Sequence, residues 1–339
     1  MKRNFHFYNR FCTTWLLMAF ILLIGSLAHG TDHSPLKAET DPAESFQEWL
    51  AVFGHEAVLK GIDPRTIEIA LKDLEPIPRV IELDRSQPEF TLSFDKYMEH
   101  AISGFRVKKA RRMLRKHRLL LEQIRSRYNV QPRFLVALWA IETNFGRNRG
   151  GFPVIGSLAT LAHEGRRREY FTRELLDALR IVDAGYATPA EMKGSWAGAI
   201  GQLQFMPSKV LKYWVDHDGN GHADIWESPD EALVSAGNYL SKVNWKGGQK
   251  WGRKVKLPGN FDTGLAGLET RKHLSRWQQL GLRRADGGHL PGADMEASLV
   301  IVEGGPAFLV YDNYRALLEW NKSTFFAVSV GTLADRIGN

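Results

Sequence analysis

The amino-acid sequence predicts an α+β protein that is mainly α-helical, with a small β-rich insert late in the chain. Apolar residues recur with the period of a helix over residues 45–128, and helical periodicity returns over residues 311–337. Between about residues 254 and 310 Gly and Pro become frequent, and two short runs, residues 300–302 and 308–310, are typical of strands. A chain of 339 residues can also bury a large core.

These changes in pattern divide the chain into six segments. We expect a signal peptide or anchor, a flexible leader, a helical domain, a central core, the β-rich insert and a final helical segment that returns to the core. They cover residues 1–30, 31–44, 45–128, 129–253, 254–310 and 311–339, in that order.

The first 30 residues are typical of an export signal. Three basic residues precede an apolar stretch, residues 15–27, and the small residues Ala28 and Gly30 suit signal-peptidase cleavage before Thr31. The apolar stretch is short for a bilayer crossing. We therefore expect an exported protein whose signal is removed, with a retained membrane anchor as the alternative.

Charge and cysteine content exclude several classes of protein. Removal of the first 30 residues, with their three basic and no acidic side chains, lowers the net charge from +7 to +4. This balance tolerates an anionic polymer but does not require nucleic acid, which we do not expect as a partner. The single cysteine, Cys12, lies in the same segment, so a disulfide framework is excluded.

Residues 106–127 form a strongly basic helical stretch. It contains Lys108, Lys109, Arg111, Arg112, Arg115, Lys116 and Arg118. A solvated helix face is one interpretation, and binding of an anionic peptide or phosphate is the other.

The first candidate site is a carboxyl group where an apolar helical run ends. The run covers residues 134–141, Pro132 suits the first turn of its helix, and residues 142–146 read Glu-Thr-Asn-Phe-Gly. Burial and the negative end of the helix dipole would both raise the pKa of Glu142. A Glu in this setting can stay protonated near neutral pH, as a general acid must. A surface or capping Glu at a helix end is the alternative.

A glycine-rich segment, residues 194–208, is the second candidate. Its small residues would let the backbone approach a ligand closely. Gln204 offers a donor and an acceptor, which suits a sugar amide or hydroxyl. Taken alone, a segment of this kind is more often a packed turn between helices, which is the alternative.

Together these two motifs, in this order and spacing, resemble the lytic murein transglycosylases, and more narrowly their membrane-bound type B family, glycoside hydrolase family 103. The resemblance extends from Ser45 to the C-terminus and includes residues 87–90 and 320–323. It implies a lysozyme-like catalytic core and cleavage of the β-1,4 bond between N-acetylmuramic acid and N-acetylglucosamine without water, which leaves a 1,6-anhydro ring. Peptidoglycan strands would be the partner, the periplasm or cell envelope the location, and no cofactor would be needed; we expect a monomer.

The resemblance also assigns roles to single residues. Glu142 would act alone, first as acid and then as base, and the sequence offers no second carboxylate in an equally distinctive setting. Ser195 and Gln204 match the family's substrate-contacting Ser and Gln, and Asn321 matches a late Asn near the reacting sugar. Trp320 replaces a Tyr common in the family and could stack on a sugar. A hydrolytic muramidase on the same scaffold and a non-catalytic glycan-binding protein are the alternatives.

A third motif is typical of a calcium-binding loop of the EF-hand type. Residues 216–227 place oxygen atoms at the first, third and fifth positions, Gly at the sixth and a backbone carbonyl at the seventh. The resemblance implies a longer loop, so the closing acid stays open among Glu227, Asp230 and Glu231. The expected ligands of a structural Ca²⁺ are Asp216, Asp218, Asn220, the carbonyl of His222 and, as the working choice, Asp230. A metal-free turn is the alternative.

Overall fold

The computed structural model describes residues 45–86, 92–221 and 224–338. The predicted signal or anchor, the predicted leader, the motif at residues 87–90 and His222 lie outside the described residues. Within the described ranges, no helix combines the length and the apolar character needed to cross a membrane.

The described part of the chain contains fourteen α-helices. They are α1 Phe46–Leu59, α2 Pro64–Leu71, α3 Pro78–Ser86, α4 Phe94–Ala101, α5 Gly104–Lys116, α6 Arg118–Tyr128, α7 Pro132–Thr143, α8 Val154–Glu164, α9 Arg168–Asp183, α10 Pro207–Tyr213, α11 Pro229–Lys242, α12 Leu274–Gln279, α13 Asp312–Trp320 and α14 Thr324–Ile337.

The first helix shows how local sequence sets these boundaries. Ser45 and Glu48 form a capping box at the start of α1, in which each side chain accepts a hydrogen bond from the backbone of the other residue. Large apolar residues of α1, such as Trp49 and Phe53, are buried. Burial of each large apolar side chain contributes roughly 1.5–3 kcal/mol to the stability of the fold.

Two long helical stretches are each broken once. The basic stretch at residues 106–127 forms α5 and α6, which meet at His117. The stretch at residues 155–183 forms α8 and α9, because Gly165 follows α8 in the left-handed conformation, with φ 90°. A glycine adopts this conformation without steric cost.

The strands fall late in the chain, as predicted, apart from one short pair. In that pair β1 (Phe152–Pro153) is antiparallel to β2 (Lys193–Gly194). The remaining strands form one antiparallel sheet with the order β4-β6-β7-β3-β5. These strands are β3 Gly252–Lys256, β4 Gly267–His273, β5 Arg283–Arg284, β6 Glu296–Ile301 and β7 Ala307–Val310.

The sheet has a small hydrophobic cluster of its own, centred on Trp277 and Leu299. The larger core lies among the helices, and α13 and α14 belong to it. At its centre is α7, whose residues from Phe134 to Ala140 are all buried and which packs against α14. The predicted mainly helical α+β fold with a late β insert is therefore confirmed, and α7 carries Glu142 in its last turn.

Candidate active site

A cavity of about 330 Å³ lies beside the C-terminal end of α7. Its wall is formed by residues from α7, α9 and α11, by the glycine-rich segment, and by the end of α13. Four of the five predicted site residues line it: Glu142, Gln204, Trp320 and Asn321. Ser195 does not.

Glu142 is a buried carboxyl group on this wall whose pKa is strongly raised. Only 8% of its surface is exposed. Burial raises its pKa from the ordinary 4.5 to about 8, and a hydrogen bond from Trp320 partly opposes that rise. The group is therefore protonated at neutral pH, which is the state that a general acid requires.

Trp320 fixes the orientation of this carboxyl group. Its indole Nε1 donates to Oε1 of Glu142 at 2.8 Å. The indole ring is held by Tyr239 and Phe205, each with a centroid separation of 5.0 Å. An indole N–H can only donate, so Oε1 is the accepting oxygen and the proton of the neutral acid belongs on Oε2. Stacking of Trp320 on a sugar stays a prediction.

The turn that follows α7 is held by two contacts. Asn144 ends the helix in the left-handed conformation, with φ 50°. Lys109 of α5 donates from Nζ to the carbonyl oxygen of Asn144 at 3.0 Å. A cation at this position also offsets the negative end of the helix dipole. The end of the helix is thus fixed two residues beyond Glu142.

Gln202 connects this helix to the rest of the site, a role that the sequence analysis missed. Its Oε1 accepts from Trp139 at 3.0 Å, and its backbone carbonyl accepts from Thr143 at 2.6 Å. Its Nε2 donates to the carbonyls of Trp226 and Glu227, both at 3.2 Å. Gln202 is only 4% exposed. Water does not reach its polar groups, so these protein hydrogen bonds satisfy them instead. The glycine-rich segment therefore braces the helix that bears Glu142.

Ser195 lies within the glycine-rich turn. It is fully buried, and its Oγ accepts hydrogen bonds from the backbone N–H groups of Ala199 and Ala197, at 3.0 and 3.3 Å. The turn is closed further by the bridge between Gly194 and Ile200. The hydroxyl shapes the glycine-rich turn and does not line the cavity, and its role as a substrate contact stays a prediction.

Gln204 and Asn321 both line the cavity and are both fixed by local bonds. The amide nitrogen of Gln204 donates to the carbonyls of Arg149 and Gly201, each at 3.1 Å. Its amide oxygen remains as an acceptor. The Oδ1 of Asn321 accepts from the backbone N–H of Ser323 at 2.9 Å, which leaves its amide nitrogen as a donor. Their roles as substrate contacts stay predictions.

A second buried carboxylate lines the same cavity, contrary to what we expected from the sequence. Glu174 of α9 is 5% exposed, and burial raises its pKa. Its two oxygens accept hydrogen bonds from Ser208, one from the backbone N–H at 3.0 Å and one from the hydroxyl at 2.7 Å. Asp177, also on the wall, accepts from Arg180 at 2.7 Å. Both acids are thus occupied by protein donors.

The predicted metal loop brings together three acids, and one of them differs from the ligands expected from the sequence. Carboxylate oxygens of Asp216, Asp218 and Glu231 lie within 4.8 Å of one another. Asp230 instead lies 3.1 Å from Nδ1 of His117, and Glu227 pairs with Arg149 at 2.8 Å. Of the acids left open for closing the loop, Glu231 is the one that lies beside Asp216 and Asp218, while Asp230 contacts His117.

The three acids fit a calcium ion in spacing and in charge. Calcium lies 2.3–2.6 Å from its ligands, so two of its oxygens lie at most about 5 Å apart. Asp216 accepts backbone hydrogen bonds from Gly221 and Gly219, which lower its pKa and keep it ionised. Asn220 lies beside Asp218, to which its side chain donates at 3.0 Å.

A helical core that presents a buried, protonated glutamate to a cavity defines the lysozyme-like class of fold. The chain belongs to the transglycosylase SLT domain family, whose model matches residues 45–335. The predicted membership of the lytic murein transglycosylases is therefore confirmed.

Individual relatives agree with this assignment. The membrane-bound lytic murein transglycosylase B of Escherichia coli K12 is 32% identical over 223 residues. The match covers 62% of this chain but only 58% of that protein's length, which is less than two thirds.

Solved structures show the same fold. SltB3 of Pseudomonas aeruginosa, solved in complex with NAG-anhNAM-pentapeptide, is 44% identical with a TM-score of 0.82, over 87% of this chain and 80% of that one. The lytic transglycosylase Slt35 of Escherichia coli, solved in complex with calcium, is 27% identical with a TM-score of 0.74, over 85% and 92%. These similarities confirm the predicted lysozyme-like fold.

Proposed function

We propose that this protein is a peptidoglycan lytic transglycosylase that cleaves the bond between N-acetylmuramic acid and N-acetylglucosamine and leaves 1,6-anhydro ends. The observation that carries the proposal is Glu142, a protonated carboxyl group on the wall of a cavity, held through one oxygen by Trp320. The relative SltB3 was solved with a fragment that carries an anhydro sugar, which agrees with this product.

The chemistry starts with proton transfer from Glu142. Its Oε2 donates the proton to the glycosidic oxygen as the bond to C1 breaks, and the N-acetyl group of the substrate stabilises the positive centre. The carboxylate that remains is stabilised by the N–H of Trp320. It then removes the proton from the C6 hydroxyl as that oxygen closes on C1. One carboxyl group thus completes the cycle, and no water is added.

The other acids on the wall favour this mechanism over hydrolysis. An ordinary glycosidase needs a second carboxylate to act as nucleophile or to activate water. Glu174 is occupied through both oxygens by Ser208, and Asp177 is paired with Arg180. We therefore infer that neither acts as the second group, and that Gln204 and Asn321 orient the sugar by hydrogen bonds.

The proposal is tested by the products of purified peptidoglycan sacculi. Mass spectrometry of the released fragments is expected to show 1,6-anhydro ends at every new terminus. New termini that carry only reducing ends would instead identify a hydrolytic muramidase. Release of no fragments at all would leave a glycan-binding protein and would contradict the proposal.

Location and partners follow from the same proposal. Peptidoglycan lies in the cell envelope, and residues 1–30 have the pattern of an export signal. We infer that the protein works in the periplasm on glycan strands, with its N-terminal segment either removed or retained as an anchor.

Replacement of Trp320 by Phe tests the role of its indole N–H. The bond favours the charged form of Glu142, so its loss raises the pKa of that group further and moves the alkaline limb of the pH–rate profile to higher pH. We expect kcat near neutral pH to fall roughly tenfold, because the carboxylate formed in the acid step loses a charge-assisted hydrogen bond.

Trp320→Tyr is the matched variant, since a tyrosine restores a donor. It is expected to recover part of kcat and to return the alkaline limb towards that of the unsubstituted protein. An alkaline limb that stays in place in Trp320→Phe would show that the indole does not act on Glu142.

We also propose that the loop at residues 216–231 binds a structural calcium ion through Asp216, Asp218 and Glu231. Slt35 was solved with calcium, which supports this. The loop also reaches the site, because Gln202 bonds to the carbonyls of Trp226 and Glu227 within it. The ion would stabilise the protein and take no part in the chemistry.

Calcium titration of two neighbouring variants tests this ligand set. Calcium at about a hundred times its dissociation constant should raise the melting temperature of the unsubstituted protein by roughly 5 °C or more. Glu231→Gln should abolish that rise, whereas Asp230→Asn should keep it. The rise is measured against each variant's own calcium-free melting temperature. Loss of the rise in Asp230→Asn alone would contradict the assignment of Glu231.

A further inference from the structure

The helix α5 has a charge pattern that the proposed function does not use. Seven of its thirteen residues are Lys or Arg and none is acidic. Like charges at i and i+4 destabilise a helix, and Lys108–Arg112, Arg111–Arg115 and Arg112–Lys116 are three such pairs. Elsewhere, α3, α6 and α9 carry ion pairs at i+3 or i+4. Other helices of this protein therefore carry both positive and negative side chains on their solvated faces, whereas α5 carries only positive ones.

The seven cations divide into two groups. Three of them are tied to backbone carbonyls of neighbouring elements: Arg106 to His100 and Ala101, Lys109 to Asn144, and Arg111 to Arg336. The other four, Lys108, Arg112, Arg115 and Lys116, are exposed. Among the residues that the structure describes, no carboxylate forms a salt bridge with any of these four, which we call the basic face.

Two exposed apolar side chains lie close to the basic face in the sequence. Phe105 is 65% exposed and Leu119, at the start of α6, is 75% exposed. At 100° per residue, Phe105 lies on the same side of α5 as Lys108, Arg112 and Lys116. The opposite side of the helix, with Ala110 and Met113, is buried in the core. Cations and apolar side chains therefore point outwards together.

Positive charge also continues beyond the helix. Burial and then the nearby cations Arg147, Arg112 and Arg106 lower the pKa of Lys109. Arg147 is exposed and lies in the turn that follows Glu142. The positive field therefore extends from α5 to the turn at the end of α7.

We propose that the basic face of α5, with Phe105 and Leu119, docks on an anionic lipid surface. Clusters of four or more cations on a helix attract anionic headgroups, and exposed aromatic and leucine side chains insert beneath them. The apolar pair distinguishes this occupant from a soluble anionic peptide, which the cations alone would attract. Because Lys109 ties α5 to the end of α7, docking would set the distance between the membrane and the cavity. This proposal does not depend on the proposed activity.

Lysine acylation of the full chain, read by mass spectrometry, tests the proposal at the face itself. Vesicles of phosphatidylglycerol and phosphatidylcholine are expected to protect Lys108 and Lys116, and high salt should remove the protection. Pure phosphatidylcholine vesicles should not protect them. Lys254 and Lys256, which are exposed on β3, should react at the same rate throughout. Because protection is measured at individual lysines, attachment of the chain to both kinds of vesicle through residues 1–44 does not affect the comparison.

Charge reversal supplies the matched comparison. Lys108→Glu with Arg112→Glu should raise the concentration of anionic vesicles that half-protects Lys116 by at least about 25-fold, at roughly fivefold for each cation lost. Lys254→Glu with Lys256→Glu makes the same change in net charge and should leave that concentration unchanged. Phe105→Ser should weaken protection as well. Melting temperatures near that of the unsubstituted protein show that each variant is folded.

Three results would overturn the proposal. The first is equal protection by neutral and anionic vesicles, and the second is equal weakening by both charge-reversal pairs. The third is protection of Lys116 by soluble peptidoglycan fragments but not by anionic vesicles, which would assign the face to stem-peptide carboxylates instead.

Discussion

Glu142→Gln is expected to reduce the release of fragments from peptidoglycan by at least about 1000-fold, within the range that general acid–base catalysis contributes. The substitution keeps the size of the side chain and an oxygen that can accept from Trp320, so the wall of the cavity is preserved. It removes the proton that the proposed mechanism donates to the glycosidic oxygen, and with it the carboxylate that would act as the base. The measurement is the rate of soluble fragment release from sacculi at neutral pH.

Glu174→Gln is the matched control for this result. Glu174 is as buried as Glu142 and lines the same cavity, but both of its oxygens are held by Ser208. We expect the variant to lose activity by much less than Glu142→Gln, through a local change at the start of α10. Equal losses in the two variants would mean that two carboxyl groups take part, and the mechanism with one would be wrong.

Glu142→Gln should also alter the dependence of the free energy of unfolding on pH. The folded protein keeps the proton on Glu142 up to a pKa of about 8, whereas the unfolded chain loses it near 4.5. The folded state therefore binds more protons between these two values, and the free energy of unfolding from this group falls as the pH rises through that window. The free energy of unfolding of Glu142→Gln, measured in urea, should lack this fall. The stability of the variant relative to the unsubstituted protein should therefore increase towards pH 8.

Gly150→Ala is expected to have the largest effect on stability, a loss of about 3 kcal/mol. Gly150 has a φ of +89°, and a Cβ atom there would lie 2.0 Å from the carbonyl oxygen of Gly194. This neighbour is backbone and cannot rotate away. It belongs to β2 and directly precedes Ser195, so the glycine-rich turn would have to move. The loss corresponds to a fall in melting temperature of roughly 6–12 °C.

Gly151→Ala is the control from the next position. A Cβ atom at Gly151 would meet nothing within 4 Å, so we expect a change within about 0.5 kcal/mol. Fragment release should fall in Gly150→Ala and stay unchanged in Gly151→Ala. A stable Gly150→Ala protein would show that β1 and β2 are not held as closely as the contact between Gly150 and Gly194 implies.

Local pattern predicted the helix that carries Glu142 and offered burial of its carboxyl group as one of two interpretations. An apolar run that ends in a carboxyl group predicts both the helix and a buried acid, and α7 has both. The proposed calcium loop could be located in the sequence because its acids are close together along the chain. The choice between Asp230 and Glu231 could not be made, since neighbours on a helix point about 100° apart and the direction depends on how α11 packs.

Contacts between distant segments could not be predicted from pattern. Trp320 and Glu142 are 178 residues apart, and only the return of α13 to the core brings them together. Glu174 looked like any acid on an amphipathic helix until Ser208, 34 residues later, is seen to hold it. Ser195 has the residue type of a sugar contact, but the bridge between Gly194 and Ile200 turns its hydroxyl inwards. Sequence identifies the residue type, while tertiary packing decides the direction.

The source of the oxygen at the new sugar terminus tests the central claim most directly, because the proposed reaction adds no water. Sacculi are digested in water enriched in ¹⁸O, and the fragments are weighed by mass spectrometry. The proposed mechanism predicts 1,6-anhydro termini that contain no ¹⁸O. Incorporation of one ¹⁸O atom at each new terminus would show that water attacks C1, and would contradict ring closure by the C6 hydroxyl with Glu142 as its base.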